Sequence, residues 1–359
     1  MQLWKFDNAA EERLKSLLAI VSPSTAEMLM AEYLRKQWLT LCKDVFTDVL
    51  GNVYSSLVGD KLIHVGLIAH MDTVAIQITQ ILPNGMLLFR SLGLSPYVLL
   101  AQKVYILTHT GCVAGVVGFD PTSQYSQPKG LLVEDLWIDI GTRSGNETEL
   151  LVCVGDLAVF QQHYSRCDKS CISATGIDDR IGLFIITECL RWFSAHGVPL
   201  CLHVIGSVQE EIGLRGASVI ANHQHLDACF VVDVDYATDT LTPHENQLGR
   251  LSLGNGVGIH RKADNNVVLQ RILLEVAAKC SISHQTGLGR FIYGGTDATP
   301  LQLQMGGIAT ANVNIPCRYI HSPIEICDMS DVEDAVNLLI AVISRIAELN
   351  KKSFIPGVD

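Results

Sequence analysis

With 359 residues, 48% of them hydrophobic and 18% charged, the chain has material for one large domain and a smaller one, and its composition excludes a disordered chain. Its net charge of -11, with no run of Lys or Arg, argues against a nucleic-acid backbone or an anionic membrane surface as a partner. The N-terminal segment carries Asp7, Glu11 and Glu12, and the most apolar later window is broken by Arg191, His196 and Pro199, so neither an export segment nor a membrane span is expected. Eleven scattered cysteines then read as reduced, mostly buried side chains of a cytoplasmic protein. Cys167 and Cys171 lack the second thiol pair that a structural zinc needs.

Along the chain, Ser24 followed by Glu27 predicts a capping box that opens a helix running towards Trp38. The apolar run Val65 to Ala69 reads as a buried strand. From about Val74 to Phe160 the pattern changes to short alternating runs, a Pro83-Asn84-Gly85 turn and glycine-rich breaks, with no amphipathic helix; this predicts an inserted all-β domain. A helix containing Ile181, Phe184, Ile185, Glu188 and Cys189 on one face ends at Gly197. Further buried strands are expected at Leu200 to Val208, Cys229 to Val232 and Ile308 to Ile315, with a simple turn at the glycine run Gly254 to Gly258. Ser330 with Glu333 predicts the cap of a last, strongly amphipathic helix. The fold expected is α/β: a mixed sheet with helices on both faces, plus the inserted β domain.

Polar residues fall where such a sheet places chemistry. His70 and Asp72 follow the first buried strand, Glu210 and Glu211 the second, Asp233 ends the third, and His321 follows the last, while Asp178 and Asp179 open a helix. The C-terminal strand ends of an open α/β sheet line its ligand crevice, so residues remote in sequence converge there. Two imidazoles with several carboxylates suit zinc and its neighbours, and one carboxylate can bridge two ions. In His70-Met71-Asp72, the Asp is placed to accept the spare ring N–H of the His, and of the adjacent Glu210 and Glu211 one can coordinate while the other stays free as a base. Taken singly, an HxD or EE pair is ordinary solvated surface; several such groups after several buried strands are not.

The strings HMDTV (from His70), GIDDRIG (from Gly176), QEEIGLRGA (from Gln209), VVDVDYATDT (from Val231), GGTDA (from Gly294) and RYIHSPIE (from Arg318) occur in an order that resembles the tetrahedral aminopeptidases, including the glutamyl-aminopeptidase-like and deblocking enzymes. The resemblance covers nearly the whole chain. It implies a zinc-peptidase-like catalytic domain formed by residues 1–73 and 167–359, with 74–166 as the insertion serving substrate access and oligomerisation. It also implies two divalent metal ions, zinc first, with cobalt or manganese as alternatives. His70 and Asp233 would bind one ion, Glu211 and His321 the other, and Asp178 would bridge them. Asp179 would support Asp178 at a strained peptide bond, Asp72 would stand behind the ligands, and Glu210 would be the general base.

Asp235, two places after Asp233, is a rival ligand that the resemblance sets aside. Thr296 and Asp297 would lie on the substrate side, against the simpler reading of a helix-capping turn. Thr73 replaces an acidic residue frequent in the family. Short peptides are the implied substrates, and a homo-oligomer, up to a dodecamer, the implied assembly. A carboxypeptidase or acylase type of dinuclear hydrolase shares the ligand order but carries its accessory domain later in the chain. A non-catalytic relative would have lost a ligand or Glu210, and a glycosidase would leave the two His unexplained.

Overall fold

The computed structural model describes residues 3–120, 130–241, 249–288 and 295–357. Its strands are β1 (Val45–Thr47), β2 (Val53–Leu57), β3 (Lys61–His70), β4 (Ala75–Ile81), β5 (Leu87–Leu92), β6 (Lys103–Thr108), β7 (Gly111–Phe119), β8 (Leu136–Asp139) and β9 (Leu157–Phe160), followed by β10 (Tyr164–Arg166), β11 (Cys171–Ala174), β12 (Leu200–Ser207), β13 (Ala228–Tyr236), β14 (Val257–Gly258), β15 (His284–Gln285), β16 (Ala309–Arg318) and β17 (Glu325–Asp328).

Eleven of them form one mixed sheet with the main order β1-β2-β12-β3-β13-β16-β17-β11-β10. At its centre β12, β3, β13 and β16 run parallel, with Ser207 opposite His70 and Asp233 opposite Asn314. Their C-terminal ends therefore share one edge.

Both faces of these strands are buried, which explains their continuous apolar runs. Val65, Leu67 and Ala69 of β3, with Ala228, Phe230 and Val232 of β13, join the large core beneath helices Asn8–Leu18, Met28–Leu39, Ile177–His196, Val267–Cys280 and Met329–Ile346. The alternate residues Ile68, Cys229 and Val231 face a smaller cluster with Ala217, Ile220 and Leu301. A two-residue side-chain period thus divides each strand between two helical layers.

The remaining six strands, β4 to β9, close into a barrel in the order β4-β5-β8-β7-β6-β9, lined by Ile76, Ile78, Phe89, Ile106, Val117 and Ile138 among others. The Pro83-Asn84-Gly85 segment turns β4 into β5; Gly85 has a φ of +92° there, and a Cβ would meet Thr142 Oγ1 at 2.8 Å. Three short helical segments among the described residues, Pro96–Leu99, Val133–Asp135 and Gly145–Glu149, interrupt the expected all-β stretch. Strand β10 pairs with β11 in the large sheet, so the expected boundary at residue 166 lies one strand beyond the barrel.

Two local expectations are corrected. Ser24 does not cap the helix Met28–Leu39: its hydroxyl donates to Asp72 Oδ2 at 2.7 Å, and Glu27 at the N-cap position makes no side-chain cap. At the last helix the cap is Asp328, which accepts the Ser330 N–H at 2.8 Å, while Glu333 accepts from Lys5 and from the Phe6 N–H. For Ser24 and Glu333 a more distant partner outcompetes the local one, while Ser330 donates its hydroxyl to the neighbouring Asp328 at 2.7 Å. The glycine run is a turn, as expected: Gly254 and Gly256 donate their N–H groups to Asp331 at 2.8 and 2.7 Å.

No helix among the described residues is long and apolar enough to cross a membrane. Asp328 also accepts from Ser170 Oγ, so Asp328→Ala is expected to cost about 1–2 kcal/mol in urea unfolding and Ser330→Ala only a few tenths. Equal losses would restore the Ser330 cap.

Candidate metal centre

His70 ends β3 with its ring 3% exposed. Its Nδ1–H donates to the backbone carbonyl of Asp72 at 3.0 Å, and a carbonyl only accepts, so Nε2 presents its lone pair inwards. There it lies 3.0 Å from Asp178 Oδ1 and 3.9 Å from Asp233 Oδ1. The Asp72 carboxylate, expected to hold this ring, sits farther away, 3.5 Å from Nδ1. It accepts the N–H groups of Glu210 and Glu211 at 2.9 and 3.2 Å and the Ser24 hydroxyl. A fully buried carboxylate thereby fixes the turn after β12 that carries both glutamates.

The second half of the site gathers around His321. Its Nε2 stands 3.0 Å from Glu211 Oε2 and 3.3 Å from Asp178 Oδ2. Asp178 thus turns one oxygen to His70 and the other to His321. The Asp178–Asp179 peptide is cis. Asp179 spends its oxygens on the N–H groups of His70 and Gly182, at 3.3 and 2.9 Å, which leaves it a supporting role.

Glu325, to which the sequence reading gave no role, accepts the Asp178 N–H on one oxygen and the His321 N–H on the other, both at 3.1 Å. It therefore ties Asp178 to His321. Its one visible sign in the sequence was its place at the end of RYIHSPIE. Arg180, also buried, donates to the carbonyls of Met71 and Ile20 and pins the loop after β3.

The rival ligand is set apart by geometry. Asp235 Oδ2 lies 3.3 Å from His260 Nε2 and 3.5 Å from Lys262 Nζ, away from both imidazoles of the centre. Thr296 lines the cavity and donates to Asn312 at 2.8 Å. Asp297 does not line it: the side chain is buried beneath, accepts the Ser207 hydroxyl and caps no helix end. Burial raises the Asp297 pKa to about 6 against the Ser207 hydrogen bond. Gly294 of the same motif lies outside the described residues.

This arrangement calls for cations. Burial opposes protonation of His321, yet the carboxylates of Asp178 and Glu211 push its pKa up to about 12. Burial and mutual repulsion raise Asp233 and Glu210 well above the usual carboxylate range, with His70 opposing. Glu211 Oε1 is buried without a hydrogen bond. Buried carboxylates this close together are costly unless a cation sits among them.

Donor atoms of His70, Asp178 and Glu211 lie within 4.8 Å of one another, as do those of His70, Asp179 and Asp233. The mixed nitrogen and oxygen set fits divalent metal ions. Above it opens a cavity of about 730 Å³, to which the barrel contributes Gly93, Ser95 and Val98. That volume holds a small ligand. Glu210 faces it with no side-chain hydrogen bond among the described residues.

Comparison with known proteins accords with this geometry. A lysyl aminopeptidase from Pyrococcus furiosus is 32% identical over 324 residues, covering 87% of this chain and 89% of its own. A TET aminopeptidase from the marine sediment archaeon Thaumarchaeota archaeon SCGC AB-539-E09 superposes with a TM-score of 0.88 at 29% identity, over 94% of this chain and 98% of its own. The Pyrococcus horikoshii TET1 peptidase, which can assemble into a tetrahedron or a large octahedral shell, superposes with a TM-score of 0.82 at 30% identity, over 92% and 98%. Residues 51–338 match the family described as M42 glutamyl aminopeptidase, and the chain belongs to that family of peptide hydrolases.

Proposed function

We propose that the chain is a dinuclear metal-dependent aminopeptidase that removes N-terminal residues from short peptides, with Glu210 as general base. The observation that carries this reading is the divided Asp178 carboxylate, one oxygen at 3.0 Å from His70 and the other at 3.3 Å from His321. His70 and Asp233 would hold one ion, Glu211 and His321 the second, and Asp178 both. Zinc suits the donors first, and cobalt or manganese would also fit. When bound, such ions polarise a carbonyl and make water acidic at neutral pH.

The rest is done by protein groups. Glu210, raised in pKa and with no side-chain hydrogen bond among the described residues, takes the proton of the attacking water and returns it to the leaving amine. Asp72 holds Glu210 and Glu211 in their different directions through their N–H groups. The acidic cluster attracts the free α-amine of the substrate, which confines cleavage to the first peptide bond.

The barrel, with residues 74–166 as an inserted unit, is assigned to substrate access and assembly. Its walls reach the cavity, and its outer surface exposes Leu150 at 85% and Val154 at 61%. The shell-forming Pyrococcus horikoshii relative supports a homo-oligomer here, up to a dodecamer. Eleven free cysteines suit a cytoplasmic, reducing setting. The preferred N-terminal residue does not follow from family membership, because the lysyl aminopeptidase relative differs in this from the glutamyl description of the family.

Metal-stripped protein is expected to be inactive on aminoacyl-p-nitroanilides and to recover with added zinc, cobalt or manganese. Glu210→Gln should lower kcat by about 10²–10⁴-fold while still binding two ions; unchanged kcat would remove Glu210 from the chemistry. Asp72→Asn should lower activity about 10–100-fold with both ions retained, since it weakens only the support of the glutamate turn. Sedimentation velocity should show an assembly much larger than one chain, and a monomer at working concentration would dismiss the oligomer.

A further inference from the structure

Two amides, Asn312 and Asn314, interrupt the apolar run of β16, a strand buried between two layers. Burying an amide costs free energy unless both its oxygen and its NH2 group find partners. At Asn312, which is fully buried, both do: Nδ2 donates to Asn265 Oδ1 at 2.8 Å, and Oδ1 accepts the Thr296 hydroxyl at 2.8 Å. Asn314, 3% exposed, is only half satisfied. Its Nδ2 donates to the Gly258 carbonyl at 3.3 Å, which settles the orientation of the amide, because a carbonyl only accepts. Its Oδ1 accepts no hydrogen bond among the described residues, yet it is not among the unpartnered atoms sealed inside the protein.

Asn314 lines the cavity above the centre together with Asp233, its direct partner in the parallel pairing of β16 with β13. Neighbouring strands run about 4.8 Å apart, so two paired residues on the cavity face stand side by side. The free amide oxygen is therefore a neighbour of the Asp233 carboxylate. Being neutral, it accepts a hydrogen there without adding to the crowded negative charge, as another carboxylate would.

We propose that Asn314 is a substrate-binding residue: its Oδ1 accepts a hydrogen from the free α-amine of the N-terminal residue and orients that amine beside Asp233. The inference rests on the aminopeptidase reading, which brings the α-amine to the acidic cluster. Carboxylates attract an ammonium from many directions, whereas a carbonyl fixed by its own amide accepts near its plane. An amide that merely braced Gly258 would, when lost, weaken every ligand alike.

The test uses zinc-loaded protein and leucyl-p-nitroanilide. Asn314→Ala should raise KM about 10–100-fold, change kcat far less and retain both ions. L-leucinamide and 4-methylpentanamide, the same molecule without its α-amine, are compared as competitive inhibitors. The wild type is expected to bind leucinamide more tightly, and Asn314→Ala should shrink that advantage about 10–100-fold. Asn314→Asp, which keeps an acceptor oxygen, should retain most of it. If Asn314→Ala does not fold, Asn314→Leu, of similar volume and without an acceptor, takes its place.

An unchanged KM in Asn314→Ala, or an equal loss for the two amides, overturns the inference. If the wild type cleaves no anilide, the aminopeptidase reading fails on that result. The inference is then decided by calorimetry of the two amides with zinc-loaded Glu210→Gln, with and without Asn314→Ala. An advantage of leucinamide that disappears with Asn314 supports it; equal binding of the two amides sinks it.

Discussion

The structure depends on how negative charge is concentrated at one edge of a buried sheet. Asp178, Glu210, Glu211 and Asp233 gather around two imidazoles, and each of the four ion pairs drawn there shares its imidazole with another. Water alone does not relieve such crowding in so enclosed a place, and cations do. The surrounding architecture can be understood as the framework that holds this arrangement against its own repulsion.

That framework is mostly backbone. Asp72 grips the turn after β12 by two N–H groups, Asp179 grips the end of β3 and the start of a helix, and Glu325 grips Asp178 and His321 together. Three buried carboxylates thus act on the framework by accepting main-chain hydrogen bonds. His321 itself, at a φ of +61°, occupies a left-handed conformation that an ordinary residue adopts only when its surroundings hold it there. Its N–H bond to Glu325 supplies part of that hold.

Much of the sheet could be read in the sequence, because strands buried on both faces leave unbroken apolar runs such as Val65 to Ala69 and Cys229 to Val232. The residues of the centre could also be read, because charged groups directly after such runs are rare by chance. Residues that choose between a near and a far partner are not legible in this way. Ser24 and Glu333 each had the spacing of a local capping box, and Ser24 went instead to a carboxylate 48 positions away, Glu333 to the Phe6 N–H 327 positions away. Asp72 was expected to use its side chain on His70, yet its carbonyl does so and frees the carboxylate for the glutamates. Glu325 could not be read this way, since Asp178 reaches it only once β17 pairs with β11.

The parallel pairing of β3, β12, β13 and β16 has a consequence for how the molecule comes into being. The first imidazole belongs to the strand before the barrel and the second lies between the last two strands of the chain, so the centre is not complete until nearly the entire chain has been synthesised and threaded into place. The barrel, by contrast, is made of neighbours in sequence and can close early. A nascent chain would therefore carry a finished small unit beside an unfinished large one. Proteolytic competence would arise last, at the moment when its own still-unfolded segments are no longer available to be cut.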